Sequence, residues 1–465
     1  MVLIRKLFFI TVLVLLAHED SMAQEKGSQP ILPIRFLENY GYLKDSTKLR
    51  HFYDPVKYIP MNENGSSYLS LGGETRLMYQ SIYNRQDEGE GYLLTRVMLH
   101  ADIYLGKRLR IFLQPAMGLD FFKEAMPAPV DRDELFLLNA FVDYDFLNED
   151  SKSLILRVGR QELNYGAGHL ITIREGPNVR QYWEGAKVAY EAKGLSVDSF
   201  VTQFGKQNLG IFDNPILDSD ETLWGIYSTL DKSFIKGFST DIYYLGFEQD
   251  ETQFFNATGK ETRHSLGVRI FADKGAFDYD LEVTGQFGKA GESDIRAHGI
   301  FSNIGYTFDA EKPFQKRLGL KANYFSGDTN AEDNKLNSFN PMYPRQGYYQ
   351  GAAALYGTNF WYIHPSFTVA YGKEFSFNVN WAWYWRTQKE DGIYVNGSGI
   401  PLIAPTGSDT LALGKQLDFN CKYAITKYTS VVIDYSHFFA EGFIAENETP
   451  QEISDFLNVI LLHRF

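Results

Sequence analysis

Apolar and polar residues alternate along most of this chain. In Tyr68–Gln80, Leu69, Leu71, Thr75, Leu77 and Tyr79 share one face, and Ser70, Glu74, Arg76 and Gln80 share the other. In Tyr92–Leu105, Leu93, Val97, Leu99, Ile103 and Leu105 alternate with Arg96, His100 and Asp102. In Phe277–Gly288, Phe277, Tyr279, Leu281, Val283 and Phe287 alternate with Asp278, Asp280, Glu282 and Gln286. A period of two predicts a strand with one face in an apolar medium. The pattern predicts eighteen strands, at 68–80, 92–105, 108–119, 134–146, 153–162, 182–192, 195–205, 220–232, 237–248, 262–272, 276–289, 297–308, 316–326, 359–371, 374–387, 411–424, 428–440 and 453–465.

Connections between these segments alternate in length. Gly106-Lys107, Lys193-Gly194, Asp273-Lys274-Gly275 and Gly372-Lys373 make short turns, whereas 163–181, 327–358 and 388–410 are long loops. Short turns on one side and long loops on the other characterise outer-membrane barrels, and an even strand count returns both termini to the short-turn side. Only helices and closed barrels cross a bilayer with every backbone group satisfied. The mature chain has no run of the ~18 apolar residues a membrane helix needs. The expected fold is therefore an all-β transmembrane antiparallel β-barrel of about eighteen strands. The 15% aromatic content suits girdles at the two lipid–water boundaries.

One segment resists the alternation. In Ser153–Glu162, Arg157 and Arg160 fall on opposite faces. An arginine facing lipid at mid-depth costs ~2–4 kcal/mol, so Arg160 is expected beyond the membrane edge or after a bulge at Gly159.

Arg5 and Lys6, the apolar run Leu7–Ala17 and the small residues of Ser21-Met22-Ala23 read as a secretory signal over 1–23. Residues 24–67 carry Pro33, Asp54-Pro55 and Ile59-Pro60 without clean alternation, which suits a periplasmic or lumen-associated segment; the barrel occupies 68–465. The single Cys421 excludes an intramolecular disulfide. Nucleic-acid binding has no support, because no basic cluster, phosphate loop or Cys/His zinc spacing occurs.

The polar faces carry both charges. Arg76, Arg96, Arg110, Arg157, Lys187, Arg263, Arg269, Arg317, Lys321, Arg386 and Lys422 stand with Glu74, Asp102, Asp143, Asp241, Asp280, Glu282, Glu374, Asp418 and Asp434. So dense a polar interior implies a water-filled lumen. Guanidinium forks there match carboxylates, although opposite charges pairing across strands would merely solvate the wall. The net charge of −13 does not decide between these readings, since local charge along the lumen governs a channel.

The most distinctive stretch is Gly159-Arg160-Gln161-Glu162-Leu163-Asn164-Tyr165-Gly166, running on to Arg174-Glu175-Gly176-Pro177-Asn178-Val179-Arg180. Tyr58-Ile59-Pro60, Tyr68–Glu74, Ser326-Gly327-Asp328, Phe339–Arg345 and Tyr435–Ala440 are further short motifs. In this order they resemble the alginate-export family of outer-membrane porins over nearly the whole mature chain. The resemblance implies a monomeric eighteen-stranded barrel in the Gram-negative outer membrane, passing an acidic polysaccharide through an arginine-lined constriction. It assigns Arg160, Arg174, Arg180 and Arg345 to that constriction, with Glu162 and Glu175 pairing with and positioning them. Wall arginines Arg76, Arg96, Arg157, Arg263 and Arg269 complete the candidate site.

The partners expected are an anionic polysaccharide or oligosaccharide, outer-membrane lipids and periplasmic export partners, with no cofactor or metal. A diffusion porin for small organic anions is the alternative. An outer-membrane enzyme is disfavoured, because H-E-x-x-H and G-x-S-x-G are absent and the nine histidines follow no catalytic spacing. A structural barrel would need an apolar, plugged lumen.

Overall fold

The computed structural model describes residues 31–49, 51–84, 90–124, 126–147, 149, 151–272, 275–345, 355–394, 401–447 and 453–465. The expected leader at 1–23 lies outside these residues. Eighteen long strands close into one antiparallel barrel. They are β1 (Tyr68–Asn84), β2 (Glu90–Leu105), β3 (Leu109–Phe121), β4 (Asp133–Asp145), β5 (Lys152–Gln161), β6 (Trp183–Ala192), β7 (Leu195–Phe204), β8 (Glu221–Leu230) and β9 (Ser239–Phe254). The second half comprises β10 (Ala257–Ala272), β11 (Phe277–Ala290), β12 (Ser293–Phe308), β13 (Phe314–Phe325), β14 (Phe360–Tyr371), β15 (Phe375–Arg386), β16 (Ala412–Ala424), β17 (Thr429–Ala440) and β18 (Ile453–Arg464). β18 returns to β1, with Glu74 opposite Arg464 and Leu77 opposite Leu461. Among the described residues, none of the eighteen barrel strands is left with an unpaired edge, which is what the bilayer demands.

The predicted faces hold. Leu99, Val283 and Leu266 point outward and are more than half exposed, while Glu74, Arg96 and Gln286 are buried inside. Strand positions match the expected ones closely, with one correction. Residues 249–261 and 290–296, expected to be loop, extend two hairpins, so β9, β10 and β12 reach 16 residues each. A tilted membrane strand needs only ~9–11 residues, so these hairpins project past the lipid. Their outer parts lack a lipid-facing apolar face, which removed the signal that marks a strand.

Of the two placements expected for Arg160, the one after a bulge does not hold. β5 pairs with β4 and β6 without a register shift, so there is no bulge at Gly159. Arg160 is the second-last residue of β5 and shares the parity of outward-facing Val158. A loop over 205–220 covers it: the guanidinium donates to Glu184 Oε1 at 2.7 Å, Leu137 O at 2.9 Å and Pro215 O at 3.3 Å. Buried pairing beneath a loop thus replaces contact with lipid.

Two inserts occupy much of the lumen. From the periplasmic end, the segment after residue 31 turns through Arg35–Leu37, Gly41–Lys44 and the helical turn α1 (Asp54–Lys57). From the outer end, the β5–β6 loop (162–182) and the described parts of the β13–β14 loop (326–345 and 355–359) fold inward. Their apolar residues, including Leu170, Ile171, Phe339 and Tyr343, join wall residues such as Phe301 and Phe325 in the largest buried cluster. Lumen-facing residues on the periplasmic halves of β14–β18 remain half-exposed, among them Ser366, Asn380 and Asn420. The open side of the lumen runs along that wall.

Candidate functional site

The β5–β6 loop is pinned by its own motif. Pro177 and Asn178 lie at its inward tip. Asn178 Nδ2 donates to three wall or loop carbonyls: Thr95 O at 3.0 Å, Leu119 O at 3.2 Å and Asp131 O at 2.8 Å. Val179 packs with Met98, Ala116 and Phe136. Arg76 does not face open lumen. Its guanidinium donates to the carbonyls of Glu175, Gly176 and Pro177 at 2.9, 3.1 and 2.7 Å. A turn's backbone carbonyls thus serve as acceptors for a buried wall arginine.

A charge cluster forms around this tip. Arg180 contacts Glu162 at 3.2 Å, Glu74 at 3.7 Å and, more closely, Glu175. Arg96 Nε donates to Glu74 at 2.9 Å and its Nη2 to Glu175 at 2.9 Å. Arg464 bridges the same two carboxylates at 2.6 and 2.8 Å. Burial alone would raise the Glu175 carboxyl, but Arg180 and Arg96 outweigh it and hold it below its usual range. Glu162 differs, because burial dominates there and pushes its carboxyl up despite Arg180 and Asn139. Glu162 and Glu175 therefore both pair with Arg180. Neither pairs with Arg160, whose partner is Glu184, nor with Arg174. Arg464 was missed by the sequence reading, although its parity opposite Glu74 across the closing seam carried the signal.

Most other wall arginines are also paired. Arg157 forms a fork with Asp143 at 2.7 and 2.8 Å and stacks on Phe141 and Phe36. Arg269 bridges Asp280 at 2.7 Å and Asp241 at 2.8 Å. Arg263 is fully buried on Glu261 at 2.5 Å and Gln286 at 2.9 Å.

Arg174 and Arg345 stand apart. The two motif loops that carry them pair through their backbones: Thr172 N donates to Tyr343 O at 3.0 Å, Tyr343 N to Leu170 O at 2.9 Å and Arg345 N to Gly168 O at 2.9 Å. Arg174 adopts φ 53°, an uncommon left-handed conformation for a non-glycine residue. Among the described residues neither side chain has an ion-pair partner, and Arg345 is exposed. Burial lowers the Arg174 guanidinium from its ordinary value, opposed by Tyr356, the Glu221 carboxylate and Tyr343 nearby. Arg345 lies within electrostatic range of Lys321 and Asp434, which places it toward the open wall.

A closed eighteen-stranded barrel, apolar outside and ionic within, with an inward-folded outer loop, is an outer-membrane channel of the Gram-negative porin class. A family model for alginate export matches residues 67–456, and the chain belongs to that family. Among solved structures it resembles Acinetobacter baumannii OccAB1 (12% identity, 89% of this chain and 99% of that one, TM-score 0.55). It also resembles Pseudomonas aeruginosa OpdO (10%, 85% and 97%, TM-score 0.53) and P. aeruginosa OccK2, solved in complex with glucuronate (10%, 90% and 99%, TM-score 0.54). A search of curated proteins finds no significant match to the sequence. Family and fold are those of channels rather than enzymes.

Proposed function

We propose that this channel passes carboxylate-bearing sugars, with an alginate-type polyuronate as the principal solute. The observation that carries this reading is the pair Arg174 and Arg345. Paired loops carry both, and among the described residues neither forms an ion pair, Glu221 and Asp434 acting on them only from farther away, while Arg76, Arg96, Arg157, Arg180, Arg263 and Arg269 are consumed by internal contacts. Those six act as scaffold, fixing the loops that present the other two. An unpaired guanidinium offers a forked donor set to a passing carboxylate, each charge-assisted bond contributing ~1.5–3 kcal/mol.

Uptake of small organic anions is the second reading. The crowding of the lumen by two inserts favours it, as does the glucuronate bound by the similar OccK2 barrel. In either case the single closed chain acts as a monomer, the N-terminal segment, described from residue 31, partly fills the periplasmic mouth, and export partners would dock on the short-turn side.

Reversal potentials in planar bilayers under a salt gradient test the reading. Anion selectivity is expected in spite of the net charge of −13, with loss of both selectivity and oligouronate block in Arg174→Ala/Arg345→Ala. Cation selectivity of the unmodified channel would overturn it.

A further inference from the structure

Six lumen-facing residues on six consecutive strands are register partners of one another. Thr368 lies opposite Asn378, Asn378 opposite Asn420, Asn420 opposite Asp434, Asp434 opposite Asn458, and Asn458 opposite Gln80. A row of register partners runs perpendicular to its strands. Because barrel strands tilt by ~35–45°, such a row climbs the wall. Thr368 lies three residues before the periplasmic end of β14 at Tyr371, and Gln80 lies four residues before the outer end of β1 at Asn84. The row therefore rises from near the periplasmic mouth toward the outer rim, along the open side of the lumen.

Its chemistry differs from the rest of the wall. Elsewhere many facing residues on neighbouring strands form ion pairs, such as Arg157–Asp143, Lys187–Asp198 and Arg269–Asp280, and neutral pairs such as Gln114–Asn139 are buried. Such ion pairs suffice to wet a wall. The row instead carries four amides and one hydroxyl around a single carboxylate, and all six residues are half-exposed. Neighbours hold one another in place: Asn378 Nδ2 donates to Thr368 Oγ1 at 2.6 Å, Gln80 Nε2 to Asn458 Oδ1 at 3.1 Å, and Asn420 Nδ2 to Asp434. An amide presents donor and acceptor together, the pairing a sugar hydroxyl needs. Adjacent strands repeat every ~4.8 Å, close to the length of one sugar ring in an extended chain. The lone carboxylate, Asp434, is also the one within range of Arg345, so its repulsion of an acidic sugar is offset.

We propose that this row is a hydroxyl-recognising track for an extended oligosaccharide, handing successive rings along the wall. Several weak, equivalent contacts allow a chain to enter without being trapped. The track rests on the reading of the barrel as a sugar-acid channel, and it supplies contacts to the rings that the arginines cannot.

The test is current blockade of single channels by a hexameric oligouronate and, separately, by neutral maltohexaose. The variants are Asn378→Ala/Asn420→Ala/Asn458→Ala and the corresponding triple Ser variant, which keeps a hydroxyl at each site; both leave the charge unchanged. The Ala variant should shorten blockades by both sugars about tenfold with reversal potential unchanged, and the Ser variant should shorten them less. Unchanged blockade lifetimes in an assembled variant would overturn the track, as would failure of both sugars to block the unmodified channel. Blockade of the unmodified channel by maltohexaose alone would sink the acidic-sugar reading, and the track would then stand or fall on the maltohexaose lifetimes. If the Ala variant does not assemble, the Ser variant decides.

Discussion

Arg180 donates from Nη1 to the backbone carbonyl of Pro33 at 3.0 Å, so the loop entering from outside and the segment entering from the periplasm meet at one guanidinium. That side chain is also the hub for Glu74, Glu162 and Glu175. Removing one partner from a buried ion cluster leaves uncompensated charge, typically ~3–5 kcal/mol. Arg180→Ala should therefore destabilise the folded barrel by about that amount, measured as denaturant unfolding in detergent. Arg174→Ala, which breaks no pair, should stay within ~0.5 kcal/mol. Equal stability of the two variants would show that the cluster does not hold the inserts.

Phe36 provides the grip of the periplasmic insert. It packs edge-on to Phe112 and Phe141, at centroid separations of 5.8 and 5.2 Å, beneath the Arg157 guanidinium. Beside it, Arg35 donates to Phe465 O at 2.7 Å and Gly73 O at 3.3 Å, across the closing seam. Phe36→Ala removes packing of the kind that contributes ~3–5 kcal/mol in cores. It should loosen the segment without unfolding the strands. Single-channel conductance should rise. An unchanged conductance would mean that the segment does not narrow the path.

The strands were legible because lipid on one side and water on the other impose a period of two that survives even at low mean hydropathy. Glu74, Arg76 and Arg96 could be placed inside on that basis alone. Parity does not say which of those inward charges meet. Arg180 and Glu74 are brought together by a loop folding across the lumen, an event with no periodic trace. Arg160 shows the same limit from the other side. Its parity pointed outward, as in the structure, but the covering loop 205–220 that makes this tolerable has no pattern to announce it. The family motifs indicated which loops matter, whereas the division of their arginines into paired and unpaired required coordinates.

Gly159 and Gly185 lie opposite each other on β5 and β6, with φ of 132° and 154°. A Cβ at Gly159 would come within 2.3 Å of Ala140 O, and one at Gly185 within 2.2 Å of Val201 O. Both atoms belong to neighbouring backbone, which cannot move without breaking the ladder. Gly159→Ala and Gly185→Ala should each reduce the yield of heat-modifiable, assembled barrel, at a cost of ~1–3 kcal/mol. Gly285→Ala, where a Cβ meets nothing within 4 Å, is the control and should be silent. Full assembly of both test variants would contradict the assigned register at this pair.

The two largest outer loops are clamped through carboxyls. Asp391, in the β15–β16 loop, accepts from Asp328 N at 2.9 Å and from Ser338 Oγ, both in the β13–β14 loop. Asn337 Nδ2 donates to Asp328 Oδ1 at 2.9 Å. Burial, with Asp391 nearby, pushes the Asp328 carboxyl up from 3.8 to about 6. A carboxyl whose folded pKa is raised contributes stability that is fully present below the unfolded value, here 3.8, and is lost as pH rises through about 6. The clamp should therefore be tighter at pH 5 than at pH 7.5. Hydrogen-exchange protection of amides in 326–339, corrected for intrinsic rates, should fall across that interval. Asp328→Asn keeps the amide acceptor for Asn337 and removes the titration, so its protection should change less. An equal fall in both proteins would assign the pH response to some other group and reject Asp328 as its source.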